Sequence, residues 1–98
     1  MSDDLEVKLV KVSREEGGGY SVLCQGCQED GCLRMTALIA QDYAHSLGAR
    51  EEQQVAAVAQ AGLRFVIEKA GGLDEVEEER VEFRSQGPDF QAAVKKAI

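Results

Sequence analysis

The chain has no tryptophan, one proline and one histidine, and aromatic residues make up only 5% of its 98 residues. A core must therefore come from small aliphatic side chains within the 44% of the sequence that is apolar. About 100 residues is the usual size of one domain, and a second independent core does not fit. We therefore expect residues 1–98 to form a single domain.

Long hydrophobic runs are also missing. The longest apolar run spans residues 55–59, whereas a membrane-spanning helix needs about 20 residues. The first dozen residues lack the basic start and the apolar stretch of a secretory signal. Three cysteines are an odd number for a disulfide framework, and free thiols are the usual state in a reducing compartment. We expect a cytoplasmic protein, cellular or phage-encoded.

Basic residues are outnumbered, since 11 lysines and arginines stand against 18 acidic residues and the net charge is −7. Direct nucleic-acid binding needs cations that neutralise phosphates, and anionic membranes repel such a chain. The same charge attracts a protein with a basic surface. The densest acidic region is the candidate partner-binding site, although such runs are commonly just solvated surface. Its members are Asp74, Glu75, Glu77, Glu78, Glu79 and Glu82.

Alternating apolar residues predict three strands in the first part of the chain. Residues 5–14 alternate, and the change of parity at Val10 indicates either a bulge or a strand that is covered on both faces. Residues 20–28 and 32–40 flank an Asp-Gly pair, which is a strong signal for a hairpin. The alternative prediction for the end of the third strand is a helix over residues 35–47. A strand followed by a helical turn over residues 42–46 would satisfy both patterns in part.

Two registers of this hairpin are open. With Asp30 and Gly31 as the loop, one face of both strands is apolar, and we expect this register because Asp-Gly suits a type I′ turn. With Glu29 and Asp30 as the loop, the same face stays apolar, because the registers differ by two residues and side chains alternate with period two. The second register sets Cys27 opposite Cys32, within reach of a disulfide.

The second part of the chain alternates helices with one strand. An apolar stripe with a period of 3.6 residues predicts a helix over residues 50–70, ended by Gly71. Gly62 within it predicts close packing on the sheet. Residues 80–84 read as a strand, and Pro88 is well placed to start a short helix. The order β-β-β-α-β-α predicts an α+β fold, in which helices pack on one face of a small antiparallel sheet.

Cys24, Cys27 and Cys32 form a C-x2-C-x4-C pattern that is the most chemically distinctive feature of the chain. A structural zinc site has four ligands, and His45 is the one histidine that could complete a set with the three thiols. Residues an odd number apart on a strand point to opposite faces, which separates Cys24 from Cys27. We therefore expect no bound metal or other cofactor, and keep a metal-binding or thiol redox module using these cysteines as the alternative.

Catalytic constellations are weak. His45 lies near Asp42 and Ser46, but no nucleophile elbow surrounds the serine, and adjacent helical residues do not face each other. The glycines of residues 17–19 are followed by Tyr20 and a strand, not by the Lys-Ser/Thr and helix of a phosphate-binding loop. A non-enzymatic protein is the expectation.

Residues 16–22 (EGGGYSV), the later Gly31-Cys32 and the long helix together resemble HicB-type antitoxin domains. That family carries a Gly-Gly-Tyr-x-Val hairpin and a later Gly-Cys on a β-β-β-α-β unit, and the resemblance covers roughly the first seventy residues. The family's intervening proline segment and its Gly-Asp-Thr helix start are absent here. The resemblance therefore implies a fold, and no functional residue is carried over from it.

The expected function is that of a small acidic binding or regulatory module. Such a protein acts as an inhibitor, antitoxin or adaptor that docks on a basic surface of another protein. The free edge of the first or fourth strand also makes a homodimer plausible.

Overall fold

The computed structural model describes residues 4–29 and 31–98 and shows an α+β fold, as predicted. Two short 3-10 helices flank the last strand, at Leu73–Glu75 and Phe83–Ser85. The principal elements in chain order are β1 (Glu6–Arg14), β2 (Tyr20–Gln28), β3 (Gly31–Ile39), α1 (Gln41–Leu47), α2 (Glu52–Ala70), β4 (Arg80–Glu82) and α3 (Pro88–Lys95).

The four strands form a mixed sheet in the order β1-β2-β3-β4. The pairs β1/β2 and β2/β3 are antiparallel, but β4 runs parallel to β3, so the prediction of a wholly antiparallel sheet is wrong for this pair. Both α1 and α2 lie between β3 and β4 in the chain, and such a helical crossover is the connection that parallel strands require. The predicted strand over residues 80–84 is also shorter, since Phe83 begins a 3-10 helix.

The β2–β3 hairpin adopts the second of the two registers. Cys27 pairs with Cys32 and Gln28 with Gly31, so Gly31 is the first residue of β3 and its predicted place in the turn is wrong. Asp30 lies outside the described residues. The apolar face is nevertheless as predicted, because a shift of two residues leaves every side chain on its original side. Period-two patterning cannot separate these registers.

One side of the sheet and the helices enclose the core. Buried side chains of β2 and β3, such as Val22 and Met35, meet the buried stripe of α2, which includes Val58 and Leu63. The α2 helix contacts β1, β2 and β3, and α3 packs against α2, so the helices cover one face as predicted.

The predicted ends of α2 are close to those observed. Glu51 and Gln54 form a reciprocal capping box at its start. Gly71 ends the helix in the left-handed conformation with φ 105°, which glycine adopts without a steric penalty. In the preceding connection, α1 is a complete short helix and not a single turn, while Met35 belongs to β3 and not to a longer helix.

The two edges of the sheet are both protected. On β1, the Gln60 side-chain amide donates to the carbonyl of Val7 at 3.0 Å, and just before this strand Arg64 donates to the carbonyl of Leu5 at 2.6 Å. Of the two alternatives for the parity change in this strand, the bulge is observed, with a register shift between Leu9 and Lys11. Bulges, lysines and capped carbonyls on an edge strand oppose pairing with another chain, and β4 has only three residues to offer.

The side of the sheet away from the helices is called the open face. Register and strand alternation assign residues to it, because directly opposed residues share a face. Its members on the first three strands are Glu6, Lys8, Lys11, Ser13, Ser21, Leu23, Gln25, Cys27, Cys32, Arg34, Thr36 and Leu38. Within residues 4–29 and 31–98, no helix has the combined length and apolar character needed to cross a membrane.

Candidate functional site

Residues 74–79, called the acidic segment, connect α2 to β4 along the edge of β3. Leu73 and Val76 are half-buried against the core and anchor the chain on its inner side. The backbone N–H of Leu73 donates to the Gln28 side-chain oxygen at 3.1 Å, and Thr36 N–H donates to the carbonyl of Glu79 at 2.7 Å. These contacts hold both ends of the segment on the hairpin and leave its carboxylates pointing outward.

All six carboxylates of the predicted partner-binding site are exposed. In the part of the chain that the structure describes, ion pairs join Lys8 to Glu6, Arg64 to Glu68 and Arg84 to Asp42, and none involves the six. The structure therefore brings five predicted residues together on one short segment and places Glu82 just beyond it, on β4. Their charge is not neutralised by an ion pair within the described chain.

A cleft lies beside this segment, at the tip of the β2–β3 hairpin. It is open to solvent, has a volume of about 450 Å³, and the residues that line it include Asp4, Glu29, Asp74 and Cys32. Sequence reasoning placed Asp74 in the partner-binding site and Cys32 in the alternative cysteine site, but it placed neither Asp4 nor Glu29 in any site. Asp4 and Glu29 are distant from Asp74 along the chain. They line the same cleft only because the acidic segment crosses the hairpin tip, which no local sequence pattern reveals.

The three cysteines are not brought together. Cys24 is fully buried on the helix-facing side of β2, and burial raises the pKa of its thiol from 9.0 to about 11. Cys27 and Cys32 lie on the open face and are joined by a disulfide, with 4.1 Å between their Cα atoms. The expectation of three free thiols is wrong for this pair, and a single ion cannot reach all three sulfurs in this geometry. Free Cys24 accounts for the odd count.

The surroundings of the disulfide differ between its two halves. Cys32 is exposed and lines the cleft, whereas Cys27 is half-buried between its neighbours on the sheet. The Gln25 side-chain amide donates to the Cys27 sulfur at 3.7 Å. Glu6 lies opposite Cys27 on β1 and forms an ion pair with Lys8 at 3.7 Å.

Asp42 and Ser46, which lie near His45 in the sequence, each contact another residue. Asp42 binds Arg84, and the hydroxyl of Ser46 donates to the carbonyl of Tyr43 at 2.7 Å. His45 itself is exposed on α1. The glycines of residues 17–19 form the turn between β1 and β2, closed by a hydrogen bond from Gly18 N–H to the carbonyl of Glu15 at 2.9 Å.

Comparisons with protein-family models, with curated proteins and with solved structures returned no match for this chain, so the candidate sites are interpreted from their geometry and chemistry.

Proposed function

We propose that this chain is a small, non-enzymatic binding or regulatory module that docks the acidic segment and Glu82 on a basic surface of another protein. An inhibitor, an antitoxin or an adaptor acts in this way, in the cytoplasm and without a cofactor. Neither nucleic acid nor a membrane surface is the partner, since both repel a chain with a net charge of −7. The observation that carries the proposal is the set of six exposed carboxylates without an ion-pair partner in the described chain.

The way the segment is held supports this proposal. Leu73 and Val76 pack inward, and backbone hydrogen bonds at Leu73 and Glu79 connect both ends to the hairpin. A charged surface that is already ordered loses less conformational entropy when it binds than a mobile one. Complementary charge speeds association and sets the orientation of the partner.

Matched charge variants test the proposal. One variant, E75Q/E77Q/E78Q/E79Q, neutralises four carboxylates of the acidic segment, and a control, E15Q/E16Q/E52Q/D89N, neutralises four exposed carboxylates elsewhere. Partners captured by the wild-type chain are purified, and their affinities for the three proteins are measured against salt concentration. We expect the first variant to weaken binding on the order of tenfold or more, and the control much less.

Two outcomes contradict the docking proposal. One is equal affinity of a captured partner for both charge variants, which would show that overall charge and not this segment is recognised. The other is an affinity that does not change between low and high salt, because ion pairs at a surface are screened.

A second candidate function is thiol redox exchange, and the Cys27–Cys32 disulfide is the observation that favours it. The bond is on the open face, where a thiol reaches it from solvent. Reversible reduction and reoxidation of this pair in a C24A background, followed by mass after alkylation, tests the candidate. A bond that withstands millimolar dithiothreitol at pH 8 in the folded protein would contradict it.

A further inference from the structure

The acidic segment begins on the last residues of β2. The backbone N–H of Leu73, the residue just before the segment, donates to the side-chain oxygen of Gln28 at 3.1 Å. The Leu73 side chain lies over Gly26, where an added Cβ atom would stand 3.4 Å from Cδ2 of Leu73. The position of the start of the acidic segment therefore depends on residues 26–28 of the hairpin.

The other end of the acidic segment is held farther from the hairpin tip. Thr36 N–H donates to the carbonyl of Glu79 at 2.7 Å, and β4 follows at once with its pairing to β3. Thr36 pairs with Leu23, well inside the hairpin ladder. A change confined to the hairpin tip therefore affects the start of the acidic segment and not its end.

The Cys27–Cys32 disulfide closes the hairpin beside Gln28. The bond joins β2 to β3 one pair before the final pair of the ladder, Gln28 with Gly31. Among the described residues, β1 reaches no farther along β2 than Cys27, which pairs with Glu6. Pairs at the end of a ladder open most readily, and a covalent cross-link beside them limits this opening. The bond therefore keeps in place the side chain that accepts the hydrogen bond from the segment.

A reductant in solution can reach this bond. It lies on the open face, where Cys32 is exposed and Cys27 is half-buried. A dithiol supplies two electrons and two protons: the S–S bond breaks, each cysteine sulfur takes up one proton, and the dithiol is oxidised to its own disulfide. The reverse exchange restores the bond. After reduction, only hydrogen bonds and packing hold the end of the hairpin together.

We propose that the Cys27–Cys32 disulfide is a redox switch for docking by the acidic segment. With the bond intact, Gln28 holds the start of the segment in the conformation that the partner recognises. When a dithiol reduces the bond, the end of the hairpin opens more often, Gln28 releases Leu73, and the start of the segment becomes mobile. Binding must then also order the segment, which lowers the affinity. This last consequence rests on the proposed docking function, whereas the release of Leu73 requires no partner.

Backbone order parameters from NMR test the switch without a partner. They report motion within the folded state, and they are measured in a C24A background before and after reduction with dithiothreitol. For residues 73–76 we expect a fall from about 0.85, the value of rigid backbone, to below about 0.6. The values for Thr36 should stay unchanged. The variant C27A/C32A should show the low values with or without reductant.

Gln28→Ala tests whether the switch acts through the hydrogen bond to Leu73. This variant keeps the disulfide but lacks the acceptor, so the order parameters of residues 73–76 should already be low in the oxidised protein and fall little on reduction. Gln53→Ala, at an exposed position of α2, is the matched control and should respond to reduction as the unaltered C24A protein does. An equal response of the two variants would overturn the proposal.

Affinity for a captured partner tests the consequence for docking. We expect reduction to weaken binding on the order of fivefold in the C24A protein. Binding by C27A/C32A should not respond to the reductant, which controls for effects on the partner. Unchanged order parameters on reduction, a bond that dithiothreitol leaves intact, or a loss of order with unchanged affinity would each overturn the switch. The docking proposal would stand in these cases, because the charge variants and the salt series decide it.

Discussion

Gly62 lies directly against the ring of Phe83, so that a Cβ atom at position 62 would stand 2.6 Å from Cε2 of that ring. The same atom would stand 2.7 Å from Cζ of Phe90. The rings of Phe83 and Phe90 pack edge to face, with centroids 4.7 Å apart. Close packing was expected at Gly62, but against the sheet; the observed neighbours are aromatic rings from the last 3-10 helix and from α3. This glycine lets α2 approach the aromatic part of the core.

Substitution Gly62→Ala should therefore destabilise the fold although alanine is the better helix former. We expect overpacking of about 3 kcal/mol, offset by about 1 kcal/mol of helix propensity, for a net loss of about 2 kcal/mol in the free energy of unfolding. Urea denaturation measures it. Ala57→Gly, at a half-buried position of the same helix, is the control, and helix propensity contributes about 1 kcal/mol to its loss of stability. A Gly62→Ala protein as stable as the wild type would contradict the packing argument.

The Cys27–Cys32 disulfide closes a short loop, so its contribution to stability should be modest. Chain-entropy arguments for a loop of this length give about 2 kcal/mol. We expect reduction, or the variant C27A/C32A, to lower the free energy of unfolding by about that amount while the protein stays folded. The variant itself should be insensitive to reductant. Complete unfolding on reduction would show that the hairpin depends on the bond far more than its hydrogen bonds and packing indicate.

Cys24 should make the fold sensitive to alkaline pH. Burial raises the pKa of its thiol in the native state from 9.0 to about 11, so the unfolded chain releases this proton first as the pH rises. The stabilising effect is fully present below pH 9 and is lost as the pH rises towards 11. Denaturant unfolding between pH 7 and 11 should show a decline that is smaller in Cys24→Ala. An equal decline in both proteins would assign it to other groups.

The hydrogen bond from Gln60 to the carbonyl of Val7 should stabilise the first strand. Gln60→Ala leaves this half-buried carbonyl without its side-chain donor, and we expect a loss of about 1 kcal/mol in the free energy of unfolding. Gln53→Ala, at an exposed position of the same helix, is the matched control and should be nearly neutral. Amide exchange in β1 should accelerate only in the first variant. Equal stabilities of the two variants would contradict the prediction that the hydrogen bond from Gln60 stabilises β1.

The local sequence pattern predicted the helices and strands themselves better than the direction and register in which they pair. The α2 helix and its end at Gly71 follow from periodicity and from left-handed backbone preference, which are properties of neighbouring residues. The direction of β4 does not follow from local pattern. Its three residues are too few to show a periodicity, and their pairing with β3 depends on where the intervening helices place them. The hairpin register was open for a different reason, because both registers place the same apolar residues on one face of the sheet.

The candidate sites divide in the same manner. The acidic residues of 74–79 were visible because only Val76 interrupts them, and they are exposed while Leu73 and Val76 pack inward. The approach of Asp4 and Glu29 to Cys32 depends on which segment crosses the hairpin tip. The disulfide depends on a register that the Asp-Gly turn preference assigned wrongly.

The parallel pairing of β4 with β3 has a consequence for the order of folding. The β2–β3 hairpin joins residues that are close in sequence, whereas the contact of Arg80 with Thr36 must close a loop that contains both intervening helices. We expect such a distant contact to form late, after the hairpin and α2 have assembled. The stretch that carries the carboxylates ends at β4, so it reaches its final place only in that last step. Nascent or partly folded chains would then lack the proposed docking surface, which would form only once folding is complete.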